Sequence, residues 1–221
     1  MKLVTEALIK FFCGLLLVGL LIFLPAGTLQ YTYGWLFAGL LFAPMLIAGF
    51  VMLLKSPEFL KKRLDAKEKQ ETQKGVVAFS GLMFIAGFVV AGLDFRFEWS
   101  TLPNWVVITA SALFLVAYAL YAEVMRENAY LSRTIKVEAG QTVVDTGLYG
   151  IVRHPMYAAT VLLFLMIPLI LGSWYALIAF AFYPAIIIVR LTNEEELLTR
   201  ELPGYVRYKQ KVKYRMIPFI W

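Results

Sequence analysis

The chain is 221 residues long, 61% apolar or aromatic and 16% charged, where soluble domains hold about 45–50% apolar and about 25% charged residues. A single core of this size cannot cover that much hydrocarbon, which argues against a soluble enzyme, a secreted module or a nucleic-acid binder and for an integral membrane protein. The formal charge of +6 then reads as membrane orientation rather than as affinity for nucleic acid.

Four apolar segments come first, at about 7–27, 34–54, 75–93 and 105–122, each near the ~20 residues that cross ~30 Å of hydrocarbon. The first is read as a span rather than a removable signal peptide, because Lys10 interrupts the basic-then-apolar order and the run continues to Leu24-Pro25-Ala26-Gly27. Between the second and third lies a basic loop, 55–74. Ser56 is a candidate N-cap there, Pro57 and Glu58 open a helix, and Phe59, Leu60 and Leu64 share one side. This loop is expected either to lie on the membrane surface near lipid phosphates or to be a solvated connector.

A polar connection, 123–156, leads to a fifth apolar stretch, Tyr157 to Val189. As one helix it would be ~50 Å long, too long for the bilayer. Pro168 and Gly172-Ser173 interrupt it, so the spacing predicts a helical hairpin at 157–189 whose two short helices either cross or re-enter. The expected fold is thus an all-α integral membrane protein of about six transmembrane helices with a C-terminal helical hairpin. It divides into N-terminal helices, 1–125, and a region carrying the chemistry, 126–221. With both termini cytoplasmic, all of the 21 Lys and Arg residues except Arg96 fall on the cytoplasmic side, as the positive-inside rule requires.

One cysteine, Cys13, and one histidine, His154, exclude an internal disulfide and leave too few ligands for zinc or haem, so no metal site is expected. The spans carry almost no ionisable groups away from their ends, unlike a transporter. Candidate chemistry lies at the base of the hairpin, where the His154 and Glu194 ends should be neighbours. Arg153 and His154, beside the start of a helix at Pro155, either sit among headgroups or receive an anion. Arg190 and Glu194 are spaced i, i+4 and share a helix face. Glu194-Glu195-Glu196 calls for a cationic partner near an anionic leaflet. Tyr205 and Tyr208 either pack on the hairpin or line a cation site.

In order and spacing, Arg153-His154-Pro155-Met156-Tyr157, Arg190-x-x-x-Glu194-Glu195, Pro203-Gly204-Tyr205-x-x-Tyr208 and the basic tail resemble the isoprenylcysteine carboxyl methyltransferase family. These are membrane-embedded enzymes that use S-adenosylmethionine, and the resemblance, of prokaryotic type, covers about Gln141 to Pro218. It implies a membrane methyltransferase, probed by its acceptor from the lipid side, with its cofactor site on the cytoplasmic face. It places Gln141, Thr142, Val143, Val144, Tyr149, His154, Pro155, Met156, Tyr157 and Glu194 on the cofactor, with Tyr205 and Tyr208 beside them. Arg190 is placed on the acceptor carboxylate; Arg153 is a second catalytic candidate and, like His154 and the backbone donors beside it, suits the cofactor's carboxylate. Ala159 stands where the family often has glycine. The implied setting is multi-pass in a prokaryotic plasma membrane, or the endoplasmic reticulum of a eukaryote, with a lipophilic or lipidated acceptor. The tail from Lys213 to Trp221 also resembles that of NADPH-dependent sterol reductases; a phospholipid methyltransferase and a noncatalytic scaffold are further alternatives.

Overall fold

Apolar helices follow from the solvent as much as from the residues, because hydrocarbon offers a backbone N–H no partner outside its own segment. The computed structural model describes residues 2–65, 71–132 and 134–221, without the side chains of Glu71 and Thr72. Arg133 and the middle of the basic loop lie outside the described residues. The elements are α1 (Lys2–Ala26), α2 (Thr32–Lys55), α3 (Pro57–Leu64), α4 (Glu71–Phe97), α5 (Asn104–Glu127), a 3-10 turn (Gly147–Gly150), α6 (Pro155–Ile170), α7 (Trp174–Phe180), α8 (Tyr183–Glu201) and α9 (Tyr205–Lys211). No strand occurs among the described residues.

Among the described residues, five segments are long and apolar enough to cross a membrane: Lys2–Ala26, Thr32–Lys55, Gln73–Phe97, Asn104–Glu127 and Trp174–Glu201. The sixth expected span falls short, because α6 has 16 residues, or about 24 Å against ~30 Å of hydrocarbon. Pro168 does not break α6. The chain instead reverses at Gly172, whose φ of 73° is the left-handed conformation that glycine adopts without strain. Ser173 then caps α7, its Oγ accepting from the Ala176 N–H at 3.0 Å. The return leg breaks once more before Pro184 and continues past residue 189 to Glu201. Its last turns therefore stand beside the start of α6.

The core lies where α2, α4, α5 and α7 converge. Phe37, Phe88, Phe114 and Phe180 interlock there, with ring centroids 5.7 Å apart for Phe37–Phe88 and 5.9 Å for Phe88–Phe180. By contrast α1 leaves Leu16 and Leu24 65% and 74% exposed, the pattern of a helix whose outer face meets lipid.

At one end of the bundle three turns are tied by a buried polar cluster. The Asp94 carboxylate, 1% exposed, accepts from the Ser100 N–H and Oγ–H, each at 2.7 Å, and from the Ser173 hydroxyl. The Trp174 N–H donates to Ser100 Oγ at 3.1 Å, and the Tyr31 hydroxyl donates to the Leu171 carbonyl. Burying a carboxylate is costly unless it is bonded in this way.

At the other end α3 packs on protein. Ser56 occupies its N-cap position without making a side-chain cap bond. Phe59 packs beside Val124, Leu131 and Tyr149, Lys62 pairs with Glu138 at 2.6 Å, and Arg63 donates to the Tyr121 hydroxyl.

Candidate functional site

The connection after α5 is shaped by Glu127 and Asn128. The Glu127 carboxylate accepts from the Leu148 N–H at 3.0 Å and occupies the space where a β-carbon on residue 147 would stand. Gly147, with φ 48°, is therefore required both by conformation and by room. Asn128 donates to the Tyr149 hydroxyl at 2.9 Å, and the Tyr149 carbonyl accepts from the Tyr208 hydroxyl at 2.7 Å. Burial raises the pKa of both tyrosines above the usual phenol value, so both remain neutral donors.

Behind this wall Arg153 and Glu195 form the structural lock of the region. Arg153 Nε meets Glu195 Oε1 at 2.6 Å, with both side chains buried. Arg153 Nη1 donates to the carbonyls of Val212 and Lys213 at 2.9 and 2.7 Å. His154 Nε2 lies 3.2 Å from Glu195 Oε1 and Arg215 Nε 3.2 Å from Oε2. The Arg153 and His154 N–H groups donate to the Tyr214 and Arg215 carbonyls at 2.9 and 2.8 Å. The donors expected from sequence to await an anion are thus engaged by the C-terminal segment. Arg153 reaches the edge of the cleft, and its hydrogen bonds make it a clamp on the C-terminal segment. Glu195 has its cationic partners within the protein.

In front of the lock is an open cleft with a cavity volume of about 90 Å³. Gln141, Thr142, Val143, Val144 and Tyr149 form one wall; His154, Met156, Tyr157, Arg190, Glu194, Tyr205 and Tyr208 form the rest of the expected set. Pro155 is buried at the first position of α6, behind the residues that face the cleft. Among the three successive acids, Glu194 faces the cleft, Glu195 is locked and Glu196 is exposed.

Glu194 and Arg190 meet on one hydroxyl. Tyr157 donates to Glu194 Oε2 and accepts from Arg190 Nε at 3.2 Å. Arg190 Nη1 donates to Gln73 Oε1 at 3.0 Å, and Gln73 Nε2 donates to Asn193 Oδ1 at 3.1 Å. Sequence reasoning missed Gln73, Asn193, Asn128 and Arg215. Gln73 opens a span far from the C-terminal motifs, and no pattern in its neighbourhood marks it.

Tyr205 is the orphan. Its hydroxyl is the buried side-chain polar atom without a hydrogen-bond partner among the described residues. Burial, with the charges of Glu195 and Glu194, raises its pKa well above the ordinary phenol value, so it stays an O–H donor facing a cleft that holds an acid and aromatic faces. A buried donor left unpaired costs about 1–3 kcal/mol, which a ligand acceptor would recover. This donor set suits S-adenosylmethionine: a carboxylate for its cationic groups, aromatic faces for its sulfonium and adenine, and an unpaired donor for its oxygens.

Residues 106–200 match the model of the isoprenylcysteine carboxyl methyltransferase (ICMT) family. The matched segment carries α6, α8, Tyr157, Arg190 and Glu194, and stops before α9. The uncharacterized protein YpbQ of Bacillus subtilis (strain 168) is 28% identical over 96 residues, covering 43% of this chain and 57% of that relative. The similarity thus spans little more than half the length of the curated relative. Five apolar membrane-length helices accompany the match, and together they describe an integral multi-pass protein with a methyltransferase-like second half.

Proposed function

We propose that the protein is a membrane methyltransferase that transfers the methyl group of S-adenosylmethionine to the carboxylate of a lipid-tailed acceptor. The observation that carries this reading is the convergence of Glu194, Tyr157 and Arg190 on one cleft within the segment that matches a methyltransferase family. The cofactor would supply an electrophilic methyl group on a positively charged sulfur, with a neutral thioether as leaving group. Glu194, Tyr205 and the Gln141–Val144 wall would hold it.

On the protein's side the work is positioning. A carboxylate is ionised at neutral pH, so no general base is needed. Arg190 offers planar donors that match a carboxylate in a fixed orientation. Holding the two reactants together converts a bimolecular step into an effectively unimolecular one. The acceptor's tail would remain in lipid alongside the apolar faces of the bundle. By the distribution of Lys and Arg, the cleft and both ends of the chain face the cytoplasm.

Thermal unfolding of detergent-solubilised protein with S-adenosylhomocysteine or NADPH tests the reading. Stabilisation by S-adenosylhomocysteine is expected; stabilisation by NADPH alone would replace the methyltransferase with a reductase.

A further inference from the structure

The basic loop between α2 and α4 reaches the wall of the cleft. Residues 138–141 close a tight turn there. The Gln141 N–H donates to the Glu138 carbonyl at 3.1 Å, the Glu138 N–H donates to Gln141 Oε1 at 2.9 Å, and Gly140 takes a left-handed φ of 74° that glycine adopts without strain. A backbone N–H needs an acceptor, so the oxygen of the Gln141 amide faces the turn and its nitrogen, with two N–H donors, faces away. Gln141 lines the cleft. On the other side of the turn the Glu138 carboxylate, whose side chain is 19% exposed, meets Lys62 Nζ of α3 at 2.6 Å and Lys136 Nζ at 3.6 Å. Lys136 belongs to the same connection as the turn, whereas Lys62 is 76 positions away and ties the turn to another element. α3 is itself anchored independently of this pair, through Phe59 beside Val124, Leu131 and Tyr149 and through Arg63 on the Tyr121 hydroxyl.

We propose that Lys62 is a positioning residue for the cofactor, fixing through Glu138 the turn that presents the donor end of the Gln141 amide to the cleft. This rests on the methyltransferase reading of the cleft. It gives the basic loop, which lies outside the matched segment, a part in binding beyond marking a membrane face. A partly exposed ion pair adds little to the stability of the whole fold, but a connection without regular structure is ordered by its few tethers, and loosening one acts locally.

Isothermal titration of the detergent-solubilised chain with S-adenosylhomocysteine tests this, beside unfolding temperatures without ligand. Lys62→Met should weaken binding about three- to tenfold, the scale of one misplaced hydrogen bond, with the unfolding temperature unchanged. Lys62→Arg should restore most of the affinity. Glu138→Gln should match Lys62→Met, and the double variant should be no worse than either, because the two residues act through one another. Gln141→Glu keeps an acceptor for the Glu138 N–H and loses the donor, so it should bind at least about threefold more weakly as well. A solvated surface pair predicts wild-type affinity in every Lys62 and Glu138 variant, and a purely structural one predicts affinity lost only in step with unfolding temperature; either result overturns the proposal. Additive losses in the double variant, or wild-type affinity in Gln141→Glu, overturn it too. If Lys62→Met does not fold, Glu138→Gln decides by the same criteria. The cofactor reading fails separately, and takes the proposal with it, if the wild type does not bind S-adenosylhomocysteine.

Discussion

The two ends of the bundle use polar groups in opposite ways. Around Asp94, a buried carboxylate meets the donors of Ser100 and Ser173, and the knot joins α4 to the turn between α6 and α7. Around Glu194, the carboxylate is half-buried and the neighbouring Tyr205 hydroxyl is left unpaired. A cluster whose valences close on themselves holds the fold; one with a donor to spare still has a hydrogen bond to offer. The Arg153–Glu195 lock belongs by this criterion with Asp94, although it stands a single residue from Glu194.

Mutations can break that contrast. Glu195→Ala should have the largest effect, leaving Arg153 buried without its counter-ion; a loss of about 3–5 kcal/mol is expected, read as a collapse of the unfolding temperature in detergent. Asp94→Ala should cost about 1–3 kcal/mol for donors left unsatisfied, with S-adenosylhomocysteine affinity per folded molecule unchanged in isothermal titration. Glu194→Ala also strands a buried donor, the Tyr157 hydroxyl, and should cost about 1–3 kcal/mol, but unlike Asp94→Ala it should weaken S-adenosylhomocysteine at least about tenfold per folded molecule. Tyr205→Phe sharpens the contrast most: stability should hold or rise slightly, because an unpaired buried hydroxyl is removed, yet cofactor affinity should fall severalfold. At the small extreme, the exposed Asp145–Lys211 pair, 2.7 Å apart, should contribute nothing measurable. Lys211 holds the Asp145 carboxyl below its usual pKa, so whatever the pair does contribute is present above the ordinary carboxylate pKa and fades as pH falls toward the lowered one; a Lys211→Ala melting curve that differs from wild type at pH 7 would contradict this.

The division between what the sequence carried and what it did not follows from range. Hydrophobic runs of about 20 residues announce membrane helices because the bilayer thickness is a fixed ruler, and α1, α2, α4 and α5 match it. Tyr157, Arg190, Glu194 and the Gln141–Val144 wall were legible because motif order and a hairpin bring them together. The same reasoning did not reach the partners that Arg153 has within the chain. An arginine before a membrane helix looks the same whether it awaits a ligand or clamps a carbonyl, and the carbonyls of Val212 and Lys213 lie 59 and 60 positions away. Gln73 was invisible for the related reason that its partner is on another helix. The 16-residue length of α6 escaped because glycine, rather than Pro168, ends it.

The lock also imposes an order of events during synthesis. Arg215, one of the cations on Glu195, is 20 residues downstream of it. At about 5–20 residues per second, the ribosome needs about 1–4 s to travel that interval. During that time the acid has left the ribosome's active centre while its last cation, and the carbonyls that clamp Arg153, have yet to be made. The lock closes only once residue 215 has been made, and a nascent chain arrested before residue 212 would carry α1 through α9 without the segment that clamps Arg153.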